Sequence, residues 1–346
     1  MMRLLTEPRR RFPTFVTMFL LAACSASSQP SASLNPQVVI GSASSFNSSH
    51  RPIGTALPTV GQTVQSDRRR SWMAPEAKGD NLLYISDAST YDVNVYSFPS
   101  AKLVGQLTGF TEPAGECVDT SGDVFITSST FYGTGTIFEY AHGGTQPIAA
   151  LSDPDGYPHG CSIDPTTGNL AVANFNSESS GGDVVIYPDA QGTPTAYTDP
   201  SIYVYFFCGY DPSGNLFVDG RSSSNASEFA ELLAGQSSFS DISLNQNIGF
   251  PGGVQWHSKL LAIGDQDTNV VHRFAIRGGA GHQVGMISLA DAGDVVQFWI
   301  QGGQIIGPDT SYGDVGFWKY ASGGQPLKII TKDLSSPFGA VVSEAR

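Results

Sequence analysis

A unit of about 45 residues recurs along this chain, and a tandem period of that size leaves few folds open. Gly122-Asp123-Val124-Phe125-Ile126-Thr127 returns as Gly168-Asn169-Leu170-Ala171-Val172-Ala173 and again as Gly214-Asn215-Leu216-Phe217-Val218-Asp219. Looser copies run over 80–86, 258–264 and 303–308. A second element precedes the copies. It reads Pro113-Ala114-Gly115-Glu116-Cys117-Val118-Asp119, then Pro158-His159-Gly160-Cys161-Ser162-Ile163-Asp164, with relatives at 251–257 and 337–343. Segments 205–211 and 295–301 fill the same slot without the Pro-x-Gly opening. The slot ends at 119, 164, 211, 257, 301 and 343, at intervals of 45, 47, 46, 44 and 42 residues.

Each unit continues as apolar strand, Gly-containing turn, apolar strand, as in 136–140, His142-Gly143-Gly144 and 147–151. Glycine supplies the positive φ of such hairpins. Four short antiparallel strands per unit match one blade of a β-propeller. Low charge (14 %) with 39 Gly and 21 Pro fits a turn-rich all-β chain. The apolar runs are continuous rather than alternating, for example Leu82-Leu83-Tyr84-Ile85 and Leu260-Leu261-Ala262-Ile263. Both faces of each sheet are therefore expected to be buried, as between stacked blades. Glycine in the Pro-x-Gly strand allows close approach at the axis. The sheet at 80–105 has no Pro-x-Gly strand before it, and an extra one lies at 337–343. The expected fold is all-β: a six-bladed propeller with four-stranded blades over 72–346, closed by the C-terminal strand as the innermost strand of the first blade, which removes an open edge.

The pattern Pro-x-Gly-x-x-x-Asp, a turn Gly, then an apolar strand resembles NHL-repeat and SMP-30 (gluconolactonase)-like propellers over about 265 residues. That resemblance implies the fold. It leaves function open, because such propellers serve as binding modules, lactonases, lyases and scaffolds. In the gluconolactonase-like enzymes the resemblance implies a metal held at inner-strand entrances. The corresponding residues here are Ala114, His159, Gly252 and Phe338, and of these only His159 could ligate. No metal site is therefore assigned and no cofactor is expected, although carboxylates and Asn around the axis are hard oxygen ligands that could suit Ca²⁺ or Mg²⁺.

Ligands of propellers sit over the axial channel, where loops entering the inner strands meet those leaving the second strands. Candidate binding residues on that face are Glu112, Asp155, Tyr157, His159 and Tyr205 from the entrances, and Arg221, Asp265 and Asp267 from the second-strand ends. Tyr203, Phe250 and Phe338 add aromatic surface, either as a pocket floor or as a channel plug. Carboxylates at second-strand ends (Asp87, Asp219, Asp265, Asp309) have two readings: oxygen ligands for an ion, or acceptors for turn N–H groups. Asp265-Gln266-Asp267 repeats least and is the better ion candidate. His159 near a carboxylate would be the candidate general base, and no other catalytic residue is assigned. Cys117, Cys161 and Cys208 fall in inner strands. Buried thiols are the default. A Cys117–Cys161 bridge stays open, since their offsets differ by one and alternation turns them to opposite faces.

The N-terminus is an export leader, not part of the fold. Arg9-Arg10-Arg11 precedes a short apolar stretch over 15–23, too short to span a bilayer. It ends in Leu21-Ala22-Ala23-Cys24, which resembles a bacterial lipobox and implies cleavage before Cys24 and its acylation. Residues 24–71, rich in Ser, Pro, Gln and Asn, read as a flexible tether. The whole chain carries net −13, and residues 1–23 hold four Arg against one Glu, so cleavage leaves −16. Such acidity excludes nucleic-acid backbones as partners. The expectation is an extracytoplasmic monomer, lipid-anchored at a bacterial outer membrane or cell surface. It binds or scaffolds a protein, peptide or carbohydrate, the alternative being a lactonase-like hydrolase or lyase at the channel mouth. Metabolic labelling with radioactive palmitate is expected to tag the wild-type chain and not Cys24→Ser; equal labelling of both would contradict the leader assignment.

Overall fold

The computed structural model describes residues 70–130, 134–177 and 181–346. The leader, Cys24 and the tether up to residue 69 lie outside them. Six sheets, antiparallel but for one added outer strand, carry the fold. From the inside outward, blade 1 is Pro337–Ser343, Asn81–Asp87, Asp92–Phe98 and Lys102–Thr108. Blade 2 is Pro113–Val118, Val124–Ser129, Gly135–Tyr140 and Ala149–Asp153. Blade 3 is Gly156–Ile163, Leu170–Ser177, Gly181–Tyr187 and Thr195–Tyr197. Blade 4 is Val204–Tyr210, Leu216–Arg221, Ser227–Leu232 and Ser240–Asp241. Blade 5 is Pro251–His257, Leu260–Asp265, Val270–Arg277 and Ala280–Ser288. Blade 6 is Trp299–Gln301, Gln304–Asp309, Asp314–Lys319 and Lys328–Ile330.

Continuous apolar second strands bury both faces, as their sequence requires. Leu82 and Tyr84 point into a cluster with Val124 and Ile126 of blade 2, while Leu83 and Ile85 point into one with Ile306 and Phe317 of blade 6. Phe125 meets Leu170 and Val172, and Ala171 and Ala173 meet Leu216 and Val218. Phe217 meets Leu261 and Ile263, and Ala262 meets Ile305. These six interfaces complete a circle, and each inner strand packs against those of both neighbours. A buried Leu, Val, Ile or Phe contributes about 1.5–3 kcal/mol. The core is therefore distributed around the ring.

The C-terminal strand closes the circle. Leu82 pairs with Ser343, Tyr84 with Val341 and Ile85 with Ala340. Ser343 Oγ donates to the Gly122 carbonyl in blade 2 at 2.6 Å and touches His142 Nδ1 at 2.7 Å. The Ala345 amide donates to Asn81 Oδ1 at 2.9 Å.

Two blades carry an additional outer strand. Trp72–Met73 pairs antiparallel with Gly105 and Gln106 on the rim of blade 1, so the segment that begins at Trp72 docks on the ring. Ser243–Leu244 pairs parallel with Ala280 and Gly281 on the rim of blade 5, a cover that the repeat did not predict.

Deleting residues 335–346 is expected to expose the inner edge of Asn81–Asp87 and abolish cooperative melting of the whole ring. An unchanged midpoint by circular dichroism would contradict closure by this strand.

Candidate functional site

Strand-end carboxylates act first as latches. In blade 1, Asp87 accepts the Ser335 and Ser336 amides at 2.6 and 3.1 Å. In blade 5, Asp265 accepts Gly249 and Phe250, both at 3.2 Å. In blade 6, Asp309 accepts Gly293 and Asp294. In blade 2, Ser128 Oγ takes the Thr111 and Glu112 amides at 3.3 and 3.4 Å. Each latch fixes the loop that enters its own inner strand. Burial disfavours the charge of Asp265, yet His272 and the backbone N–H groups hold it down to about 2. Asp265 is thus occupied by its own blade, while Asp267 is exposed beside Gly249. Among the described residues no three of Asp, Glu, His or Cys gather as a metal-ligand set.

The inner strands crowd the axis as their glycines imply. A Cβ on Gly115 would collide with the His159 carbonyl, and one on Gly339 with that of Ala114. The second slot position then converges on the axis: His159, Phe206, Val296 and Phe338 plug the channel, joined by Phe175, Phe207 and Phe250. The His159 ring lies 4.8–5.9 Å from those of Phe338, Phe207, Phe206 and Phe175. Its Nδ1–H donates to the Phe206 carbonyl at 3.1 Å. Burial pushes its pKa down to about 4, against the pull of that bond. His159 is a neutral member of an aromatic plug with no carboxylate bonded to it among the described residues, an environment unlike that of the general base considered from sequence.

Glu112 does meet Tyr157. The phenol donates to Glu112 Oε2 at 2.6 Å, and Ser129 Oγ donates to the same oxygen at 3.3 Å. Burial and the carboxylate raise the Tyr157 pKa. The Arg221 guanidinium lies 4.5 Å from the Phe250 ring centre and reaches the Gly249 carbonyl at 3.4 Å. Its Nε is buried without a partner. Asp155 is exposed, as are Tyr203 and Tyr312. Burial and the neighbouring Asp309 and Asp267 raise Asp294 to about 6. Tyr205 is a correction. It is wholly buried between blades 3 and 4, its hydroxyl bonded to the Asp199 backbone, because alternation sends Phe206 rather than Tyr205 to the axis.

The inner strands hold more than the sequence reading found. Cys117 and Cys161 form a disulfide across blades 2 and 3, with Cα atoms 5.6 Å apart, and Cys208 is the buried free thiol. The default of three thiols fails because the glycine-lined strands come within disulfide reach. Closing a loop of 44 residues contributes about 4 kcal/mol in the chain-entropy account. A cavity of about 300 Å³ opens at the opposite end of the inner strands, bounded by Gln297, Cys208, Tyr210, Trp256 and Trp299. Glu116 beside it is fully buried, and neither carboxylate oxygen has a partner. Asp219 is equally buried, with Oδ1 accepting the Phe207 amide at 2.8 Å and Oδ2 unpaired. Burial raises both pKa values well above the ordinary carboxylate range. The signal for Glu116 was present: it holds the slot position of Cys161 and Cys208.

No protein-family model matches the chain, and no curated protein sequence is similar to it. Among solved structures, a chain of the nidogen–laminin complex superposes with a TM-score of 0.63 at 12 % identity. The match covers 77 % of this chain and 99 % of that one. Likeness at that identity bears on the fold, and it agrees with a six-bladed propeller.

Glu116 and Asp219 make stability pH-dependent. The folded chain keeps protons that the unfolded chain releases near 4.5 and 3.8. Their contribution is full below those values and is lost as pH rises through the folded pKa, by at most about 1.4 kcal/mol per group and pH unit. Glu116→Gln is expected to flatten the fall in melting temperature between pH 5 and 8 (about neutral by one to two units either side); parallel curves for variant and wild type would contradict a buried neutral acid.

Proposed function

We propose that this propeller is a lipid-tethered, extracytoplasmic binding module whose entrance face engages a protein partner. The carrying observation is the closed channel mouth. His159 and the Phe206, Phe250 and Phe338 rings fill it, so the face offers a floor with a polar rim. Glu112, Asp155, Asp267 and Asp294 make that rim acidic, and exposed Tyr203 and Tyr312 give it aromatic contact area. Tyrosine and arginine are favoured at protein interfaces, and an acidic rim selects basic segments. Arg221, stacked on Phe250 and in no ion pair among the described residues, supplies a guanidinium for a partner carboxylate or carbonyl. The nidogen–laminin structure is of a protein complex, which supports a protein partner over a carbohydrate. A hydrolase or lyase centred on His159 is disfavoured, because that ring is caged by phenylalanines. Tethering rests on Cys24 and the leader.

Photo-crosslinking in cells tests the face. A crosslinking side chain at Tyr203 or Asp267 is expected to trap a protein, and Arg221→Glu is expected to cut that yield at least about fivefold, equivalent to about 1 kcal/mol. The same probe at Gln191, exposed at the other end of the ring, is expected to trap nothing specific. Adducts at Gln191 alone would overturn the assignment.

A further inference from the structure

Blade 4 has Gly220 opposite Tyr205 and no side-chain latch among the described residues, and blade 3 departs from the latch in a different way. Its second strand, Leu170–Ser177, carries Asn174, which pairs with Pro158 just as Asp265 pairs with Pro251 and Asp87 with Pro337. Asn174 accepts no amide from the entering loop. It is wholly buried, its Nδ2 donates to Asp183 Oδ1 at 2.7 Å, and its Oδ1 has no partner. Beside it Asp153, the last residue of blade 2, is 4 % exposed with Oδ2 unpartnered. The carboxylate of Asp153 leans over Gly156, where any Cβ would strike it. Burial, Asp183 and the exposed Asp155 all disfavour the charge of Asp153, a hydrogen bond with the Asn174 side chain offsets this only in part, and no Lys or Arg forms an ion pair with any of them among the described residues.

Buried oxygens without hydrogen-bond donors are costly. Turning the Asn174 carboxamide over does not cure the deficit. Its oxygen would then face Asp183, and that carboxylate would lose its donor. What the group lacks in either orientation is positive charge.

We propose that Asp153, Asn174 and Asp183 form a Ca²⁺ site between blades 2 and 3, at the outer side of the loop that carries Asp155 and Tyr157. With the Asn174 carboxamide turned so that its oxygen joins Asp153 and Asp183, the donors are all oxygen, two carboxylates and one carboxamide, which is the hard set that Ca²⁺ prefers. Three protein ligands leave the remaining positions to water and backbone carbonyls, so affinity falls in the range of extracellular modules, about 10⁻⁴–10⁻³ M. Gly156 provides the space against Asp153 that a side chain would occupy. The ion takes the place of the amide-to-carboxylate latch of blades 1, 5 and 6 and pins the end of blade 2 to the middle of blade 3.

The test uses the mature chain, stripped with a chelator and melted with and without 10 mM CaCl₂ (about ten to a hundred times the expected Kd). Ca²⁺ is expected to raise the melting temperature by roughly 3–6 °C. Asp153→Asn and Asp183→Asn are expected to erase that rise, and Asn174→Asp, which adds a third anion, is expected to lower the Kd for Ca²⁺ in isothermal titration. If the asparagine variants do not fold, the Asn174→Asp titration still decides. No rise and no binding heat in the wild type would overturn the proposal. So would an equal rise with NaCl at matched ionic strength, a rise that survives Asp183→Asn, or an Asn174→Asp variant that binds no more tightly.

Discussion

Everything in this structure depends on apolar side chains pressed between neighbouring blades. A lone four-stranded blade with Leu82, Leu83, Tyr84 and Ile85 on its second strand would expose one oily face whichever way it turned. Only a circle gives each face a partner. That requirement explains why the last strand returns to the first sheet: without it, blade 1 would lack its innermost strand and the ring its final pair of interfaces. The network of Ser343, His142 and Gly122 fixes where that strand stops.

Closure has consequences at the centre. Six inner strands around one axis come so close that glycine is required at Gly115 and Gly339, and that proximity lets Cys117 and Cys161 join. What remains of the axis at the entrance is filled by His159 and phenylalanines, which turns an open channel into a floor. The same crowding strands Glu116 and Asp219 away from water, where burial raises their pKa values well above the ordinary carboxylate range. The polar groups left at the entrance face therefore lie around the plug: Arg221 over Phe250, Tyr157 with Glu112, and Asn174 with Asp183 in blade 3.

The architecture was legible because it is written as a period. Spacing gave blade number, continuous apolar runs gave two-sided burial, and a surplus Pro-x-Gly strand gave the clasp. Site residues were less legible, for physical reasons. The strand-end Asp residues look like ligands and like turn acceptors alike, and only the amides of Ser335, Gly249 and Asp294 decide between them. Tyr205 and Phe206 are adjacent aromatics, and which one faces the axis is set by a pleat that a register shift between Tyr205 and Cys208 disturbs. The disulfide needed a distance between strands that spacing does not provide. Asn174 looked like one more strand end, and its difference emerged only beside blades 1, 5 and 6, where the same position holds a carboxylate that accepts loop amides.

Native-state hydrogen exchange addresses the closed ring most directly. If the blades support one another in a circle, the amides of Ala340–Val342 exchange only through global unfolding, with the same protection as those of Phe125–Thr127 in blade 2. Exchange of the C-terminal strand several orders of magnitude faster than blade 2 would mean that the ring is open and the strand merely rests against it.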